Sequence, residues 1–257
     1  RLIQLEYGIE VQRVSAIDDG LEAAKAVVED GDARYFVKVH PPGNAPWVEF
    51  SSWLTSELAR RGCGWVMAPI PTRRRTLTAT HHGAIVEVRR YVDAAAIQSP
   101  AAPLQLEQFG AVIADLHVVG AFAGDRVLSD DEGALVPRLE VVIERAAAVP
   151  AGDPRSAASR LIVANRASLR QRAALVDLRR QDVEAVRPRW TATHGDATAS
   201  NFLGDRAGRV YLIDWAGACT APAERDVLHY LSPDAAGFVT GYRRRHPDAV
   251  FDLAVFE

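Results

Sequence analysis

The chain has 257 residues, 48% of them hydrophobic and 25% charged, with 30 basic and 33 acidic side chains for a net charge of −3. At roughly 150 residues per domain this is one large domain or two small ones, which excludes a disulfide-stapled miniprotein and a wholly disordered chain. So balanced a charge gives no global field to recruit nucleic acid or an anionic membrane, and neither is expected as a partner. No run nears the roughly 18 uninterrupted apolar residues of a membrane span. Glu6 and Glu10 already interrupt the first ten residues, and the expectation is a soluble, unsecreted, cytoplasmic protein. Arg1 stands where an initiating Met would, so the ends are not read as natural termini. Cys63 and Cys219 are too few and too far apart for a metal knuckle or a disulfide framework, and are expected as reduced, buried thiols. The cations are 28 Arg and only two Lys, Lys25 and Lys38. That bias reads as genomic, yet it singles out Lys38.

Residues 11–17, 25–30 and 34–40 are short β-branched or aromatic runs separated by Gly20 and by Asp30-Gly31-Asp32, the pattern of an antiparallel meander. Asn44 and Pro46 then open a helix whose Trp47, Phe50, Trp53, Leu54 and Leu58 keep helical spacing until Gly62 stops it. A further hairpin is expected between Val66 and Val92, with His81-His82-Gly83 as a turn. After Asp93 an Ala- and Pro-rich stretch reads as a linker, and residues 103–118, 134–147 and 156–186 carry helical periodicity. Strands return near 190–194, 201–204 and 209–215, the last two joined by a hairpin turn at Asp205-Arg206-Ala207-Gly208, and residues 222–257 read as helical. The order predicts an α+β protein of two lobes: an antiparallel sheet with one helix over 1–92, and a larger, mainly helical lobe over 93–257.

The chemistry concentrates in His194-Gly195-Asp196, with Asn201 five residues after Asp196 and a hairpin that ends in Ile213-Asp214-Trp215. Two carboxylates and an amide are thereby delivered to one place. This suits phosphoryl transfer: one carboxylate orients and accepts the proton of an attacking hydroxyl, while the Asn201 oxygen and the other carboxylate supply the hard oxygens that hold Mg²⁺ on nucleotide phosphates. Lys38 shares a strand face with Phe36 while Tyr35, Val37 and Val39 share the other, so it emerges between buried residues, a placement open to a solubility device on an edge strand and to a phosphate anchor. Lys25, at the start of a strand, is given no role.

HGDATASN followed by YLIDW resembles the catalytic and metal loops of the aminoglycoside phosphotransferase and choline kinase superfamily, relatives of the protein kinases in fold. Lys38 in YFVKVH, the segment FGAVIADLH and the segment APAERDV extend the resemblance over nearly the whole chain. APIPT at 68–72 and its spacing from Glu49 are similar to spectinomycin phosphotransferase-like enzymes. The resemblance implies a two-lobed protein-kinase-like fold, ATP and Mg²⁺ as cofactors, Asp196 as base, Asn201 and Asp214 as metal ligands, and Lys38 as the nucleotide-binding lysine clamped by a helical acid. Helical geometry points Glu57 inward, whereas family spacing favours Glu49, and Glu49 is the choice.

The loop from Ser15 to Glu22 is expected over the phosphates, with Ser15 and its single Gly20 as contacts; a G-x-G-x-x-G is absent. The adenine is expected at the backbone about Val88 to Val92, with Arg89 and Tyr91 in that stretch. His117 is expected to pack behind the catalytic loop, Asp226 to cap a helix, and Glu224 to face substrate or solvent. Arg73–Arg75 and Arg243–Arg245 read as solvated faces. A protein kinase is disfavoured, since no A-P-E anchor is present and only eleven residues separate Asp214 from Asp226. The expected activity is transfer of the γ-phosphate of ATP to a hydroxyl of a small molecule, an aminoglycoside or aminocyclitol among them. The alternatives are a choline-, homoserine- or methylthioribose-kinase-like enzyme, or a catalytically silent nucleotide-binding scaffold. A cationic acceptor is expected because residues 190–257 carry 6 basic and 9 acidic side chains, against 12 and 11 in residues 1–92.

Overall fold

A computed structural model describes residues 1–17, 23–97, 101–125, 135–186 and 190–251. Gly20 and its neighbours 18–22 lie outside the described residues. Strands β1 (Arg13–Ile17), β2 (Ala24–Asp30), β3 (Ala33–His40), β4 (Ala79–His81) and β5 (Ala84–Arg90) form an antiparallel sheet in the order β1-β2-β3-β5-β4. Strand alternation sorts its two faces as anticipated. Val37 and its neighbours Val28, Val86 and Val88 build an apolar cluster with Tyr35 and Val39 packed against it, whereas Phe36, Lys38 and His40 take the opposite face. The apolar face is covered by α1 (Leu2–Tyr7), a helix the sequence pattern did not announce; its Tyr7 hydroxyl donates to the Val86 carbonyl at 2.7 Å. The β4–β5 turn is His82-Gly83, both with positive φ (48° and 82°), as a tight two-residue hairpin requires.

Helix α2 (Ala45–Arg60) starts at Asn44-Ala45-Pro46 and stops short of Gly62, where φ is +89°. Beyond β5 the Ala-rich stretch is not a bare linker. Its residues Ala94–Ala96 form β6, the edge of a three-stranded antiparallel sheet in the order β6-β8-β9 with β8 (Phe202–Asp205) and β9 (Val210–Leu212). The Ile97 N–H extends the pairing by donating to the Phe202 carbonyl at 3.0 Å. The turn between β8 and β9 falls where expected, with the Asp205 carboxylate accepting the N–H groups of Ala207 and Arg209, each at 2.9 Å. Strands β7 (Trp190–Thr193) and β10 (Cys219–Pro222) pair separately.

Helix α3 (Pro103–Gly120) carries the core of this region. Its segment Pro103–Ala123 is long and apolar enough to cross a membrane by length and composition, but Phe109, Ile113, Ala114 and Leu116 are fully buried inside the fold and Phe109 stacks on Phe202 at 4.0 Å. It packs along α8 (Ala236–Arg245) at glycine contacts: a Cβ on Gly241 would lie 1.8 Å from the Glu107 carbonyl oxygen, and one on Gly110 2.0 Å from that of Phe238. Everything so far, from Arg1 through α3 and from Trp190 to Phe251, belongs to one compact unit. A second unit is purely helical in its described part, with α4 (Leu135–Ala147), α5 (Ser156–Ala164) and α6 (Arg166–Val186), and Arg170 of α6 pairs with Glu140 of α4 at 2.7 Å. The periodic run 156–186 is therefore two helices. Asn165 divides them, its side-chain amide and its own N–H both donating to the Leu161 carbonyl, at 2.8 and 3.1 Å. Cys63 and Cys219 are buried, as expected, and form no disulfide with each other.

Candidate active site

Strand β7 ends at Thr193 and delivers His194, Gly195 and Asp196 into a loop held by one buried carboxylate. Asp226, in the short helix α7 (Glu224–Val227), is fully buried, and its Oδ2 and Oδ1 accept the N–H groups of His194 and Gly195 at 2.8 and 2.7 Å. Its Oδ2 also lies 3.1 Å from Nε2 of His117, whose Nδ1 meets the Tyr242 hydroxyl at 2.7 Å. Asp226 is thus more than the helix cap the sequence suggested, and His117 sits behind the loop as expected. Burial pushes the Asp226 carboxyl up, but His117, His194 and the loop N–H groups outweigh it and hold the group below the usual carboxylate range. His194 is itself without solvent exposure: Nε2 donates to the Ile213 carbonyl at 2.8 Å and Nδ1 accepts the Asp196 N–H at 3.3 Å. One donor and one acceptor are what a neutral imidazole offers, and burial lowers its pKa against the pull of Asp226, Ile213, Asp196 and Asp214. The ring therefore ties the loop of Asp196 to the end of β9. Gly195 has φ +83°, and a Cβ there would fall 2.3 Å from the Gly217 carbonyl oxygen, so only glycine fits.

Asp196 is exposed. Asn201 Nδ2 donates to the Asp196 carboxylate at 2.9 Å and to the Asp196 carbonyl at 2.7 Å. With its N–H groups spent there, the amide keeps a carbonyl oxygen that no described residue hydrogen-bonds. The Asn201 backbone carbonyl accepts the Ile213 N–H at 2.9 Å, extending the β8–β9 pairing and setting Asp214 next to the Asn201 rung. Asp214 adopts the left-handed conformation (φ 61°, ψ 63°), uncommon for a residue with a side chain. Its Oδ1 lies 2.6 Å from Lys38 Nζ. Burial raises the Asp214 pKa, but the Lys38 ammonium outweighs it, and the net shift is downward. The motif residues Asp196, Asn201, Asp214 and Lys38 are therefore connected through two direct side-chain contacts and one strand pairing.

The structure does not bring Glu49 or Glu57 to Lys38. Helix α2 turns Val48, Ser51, Ser52 and Thr55 into the protein, and at about 100° per residue Glu49 falls in the arc they leave exposed. Glu57 pairs with Arg60 at 2.7 Å. The acid facing α2 is instead Glu87 of β5, buried against Arg89 at 3.0 Å, Ser52 at 3.2 Å and His40 Nε2 at 3.5 Å. Arg89 also donates to Thr55 at 3.2 Å and to the Met67 carbonyl, so its guanidinium is spent on packing α2 against the sheet. Ser15 lies exposed on β1 opposite Val27, and Tyr91 donates its N–H to the Arg34 carbonyl at 3.0 Å with the Arg34 guanidinium over its ring. Among the described residues neither Ser15 nor Tyr91 forms a hydrogen bond or ion pair with Lys38, Asp196, Asn201 or Asp214. Lys38→Ala and Asp214→Ala are expected to be strongly non-additive in nucleotide affinity, whereas Lys38→Ala and Glu49→Ala should add. Calorimetric double-mutant cycles read both, and coupling to Glu49 alone would overturn the pairing described here.

This combination, an α+β fold of two lobes with the His194-Gly195-Asp196 loop, the hairpin joining Asn201 to Asp214 and a strand lysine, is that of a kinase-like phosphotransferase. The chain belongs to the phosphotransferase enzyme family (APH), whose model matches residues 13–253, and is classed with the small-molecule kinases. No curated protein sequence matches it. Among solved structures it is similar to spectinomycin phosphotransferase APH(9)-Ia in complex with ADP and spectinomycin, with a TM-score of 0.73 and 18% identity over 99% of this chain and 80% of that one. It is also similar to an aminoglycoside phosphotransferase from Alicyclobacillus acidocaldarius (TM-score 0.60, 18% identity, 91% and 74% covered). Choline kinase LicA from Streptococcus pneumoniae gives a TM-score of 0.60 at 15% identity, with 94% and 77% covered.

Proposed function

We propose that the protein transfers the γ-phosphoryl group of ATP to a hydroxyl of a small, cationic polyol such as an aminocyclitol or aminoglycoside. Residues 1–92 serve as the nucleotide lobe and residues 93–257 as the catalytic and acceptor lobe. The observation that carries the reading is the pairing of an exposed Asp196 with Asn201 beside a Lys38–Asp214 ion pair. Asp196 orients the acceptor hydroxyl and takes its proton as the oxygen attacks, and Asn201 fixes that carboxylate. Lys38 holds the phosphate oxygens. The side-chain carbonyl oxygen of Asn201 and the Asp214 carboxylate are hard donors that fit Mg²⁺, which when bound would neutralise charge on the phosphates. Among the described residues no group of three or more His, Cys, Asp or Glu side chains is placed to hold a metal ion.

The acidic excess of 190–257 does not all reach the acceptor. Asp205 is held by Arg209 at 2.7 Å and Asp226 is buried behind the loop. In this reading Asp196 is the carboxylate at the reacting hydroxyl, and the acceptor's amine should sit within a few bonds of that hydroxyl. ATP affinity is expected to rise with Mg²⁺ in the wild type and to lose most of that dependence in Asp214→Ala, with a milder loss in Asn201→Ala. Calorimetry with and without the metal decides, and identical titrations for wild type and Asp214→Ala would contradict the assignment.

A further inference from the structure

The two lysines of this arginine-rich chain stand directly opposite one another, Lys25 of β2 paired with Lys38 of β3. Cross-strand partners project from the same face with Cβ atoms about 4.5–5.5 Å apart. The rung continues to Ile17 at the end of β1 and to Glu87 on β5. Its one acid is already engaged, since Glu87 is bound by Arg89. Lys38 is bound by Asp214. Lys25 is half-buried and makes no hydrogen bond or ion pair among the described residues, although its charge reaches far enough to help keep Asp214 ionised. Like charges directly opposite on a sheet are destabilising. The fold thus keeps a repulsive pair at the site where an anion is to bind.

Lys25 is also the second residue of β2, a few positions beyond the β1–β2 connection that in this sequence carries a single glycine. A glycine-rich loop would hold phosphates through backbone N–H groups. We propose that Lys25 is a second phosphate ligand, its ammonium sharing the β- and γ-phosphate charge of the bound nucleotide with Lys38 across the β2–β3 pair, in place of a glycine-rich cradle. The inference rests on the nucleotide reading given above. It reverses the expectation that Lys25 is idle, because register, which places the two side chains together, is not visible in either strand alone.

The test is calorimetry on the full chain, as wild type, Lys25→Met and Lys25→Arg, with ATP, ADP, AMP and adenosine. Lys25→Met should lose roughly tenfold in ATP affinity, the order of one charged phosphate contact, with ADP similarly weakened and adenosine unchanged. Lys25→Arg should restore most of the loss. Without nucleotide, the thermal midpoint of Lys25→Met should lie at or above that of the wild type, since the repulsion is relieved; a residue needed only for structure would lower it. Unchanged ATP affinity in Lys25→Met, or an equal loss for adenosine, overturns the role of Lys25 while leaving the kinase assignment standing. A wild-type protein that binds ATP no better than adenosine overturns the nucleotide-phosphate reading itself, and this inference with it.

Discussion

Asp196→Asn is expected to lower turnover by about 10²-fold or more while ATP affinity stays near that of the wild type. The substitution keeps shape and volume, and an amide oxygen at this position can still accept the Asn201 Nδ2 hydrogen bond that measures 2.9 Å in the native pair. What disappears is a negatively charged acceptor for the proton of the attacking hydroxyl. Because Asp196 is exposed and makes no contact with Lys38 or Asp214, the loss should fall on kcat rather than on the nucleotide. Steady-state phosphoryl transfer together with ATP calorimetry separates the two, and near-wild-type turnover would remove Asp196 from the role of base.

The second large effect is expected at Asp226, which touches neither proposed substrate. Asp226→Asn should cost about 2–3 kcal/mol of stability, the order of a charged hydrogen bond left unmade in a buried site. A carboxylate accepts from both His194 and Gly195 at once, whereas an amide must turn its own N–H₂ toward one of those donors. The misplaced Gly195 carries Asp196 with it, so kcat should fall together with the unfolding midpoint. The pH dependence has a definite sign. The folded-state pKa of Asp226 is depressed, so its contribution is fully present above the unfolded value of about 3.9 and is lost as pH falls through the lower folded value. The stability gap between wild type and Asp226→Asn should therefore be constant near neutrality and narrow below about pH 4. Denaturant unfolding at a series of pH values measures it, and a gap that widens in acid would contradict the assignment of charge to Asp226.

The part of the site legible in the sequence is the part that is local in the chain. Asp196 and Asn201 lie on one loop and Asp214 at the end of the hairpin that follows, so their spacing alone carries them together. The alternation of β3 likewise separates Lys38 from Tyr35, Val37 and Val39 through strand geometry alone. Contacts that depend on register or on helix phase are not legible in this way. Lys25 meets Lys38 only once β2 and β3 are aligned. The apolar stripe of α2 is buried at Phe50, Leu54 and Leu58 but does not reveal that polar Ser52 and Thr55 are buried too, where they meet Glu87 and Arg89. Asp226 resembles a simple cap in the sequence because its partners are 31 to 32 residues upstream, with His117 further still. The Ala-rich β6 and the break at Asn165 escape the pattern for a related reason: small or polar residues say little about pairing until a partner strand or a carbonyl is in place.

The most direct test of the phosphotransferase account is product detection. Purified protein is incubated with ATP and Mg²⁺ against a panel of aminocyclitols, aminoglycosides, choline, homoserine and neutral sugars, and the acceptors are read by mass spectrometry beside the ADP formed. The account predicts a singly phosphorylated amine-bearing polyol, formed in step with ADP and absent with Asp196→Asn. ATP bound without any phosphorylated acceptor across the panel, or a product that Asp196→Asn forms equally well, would contradict it.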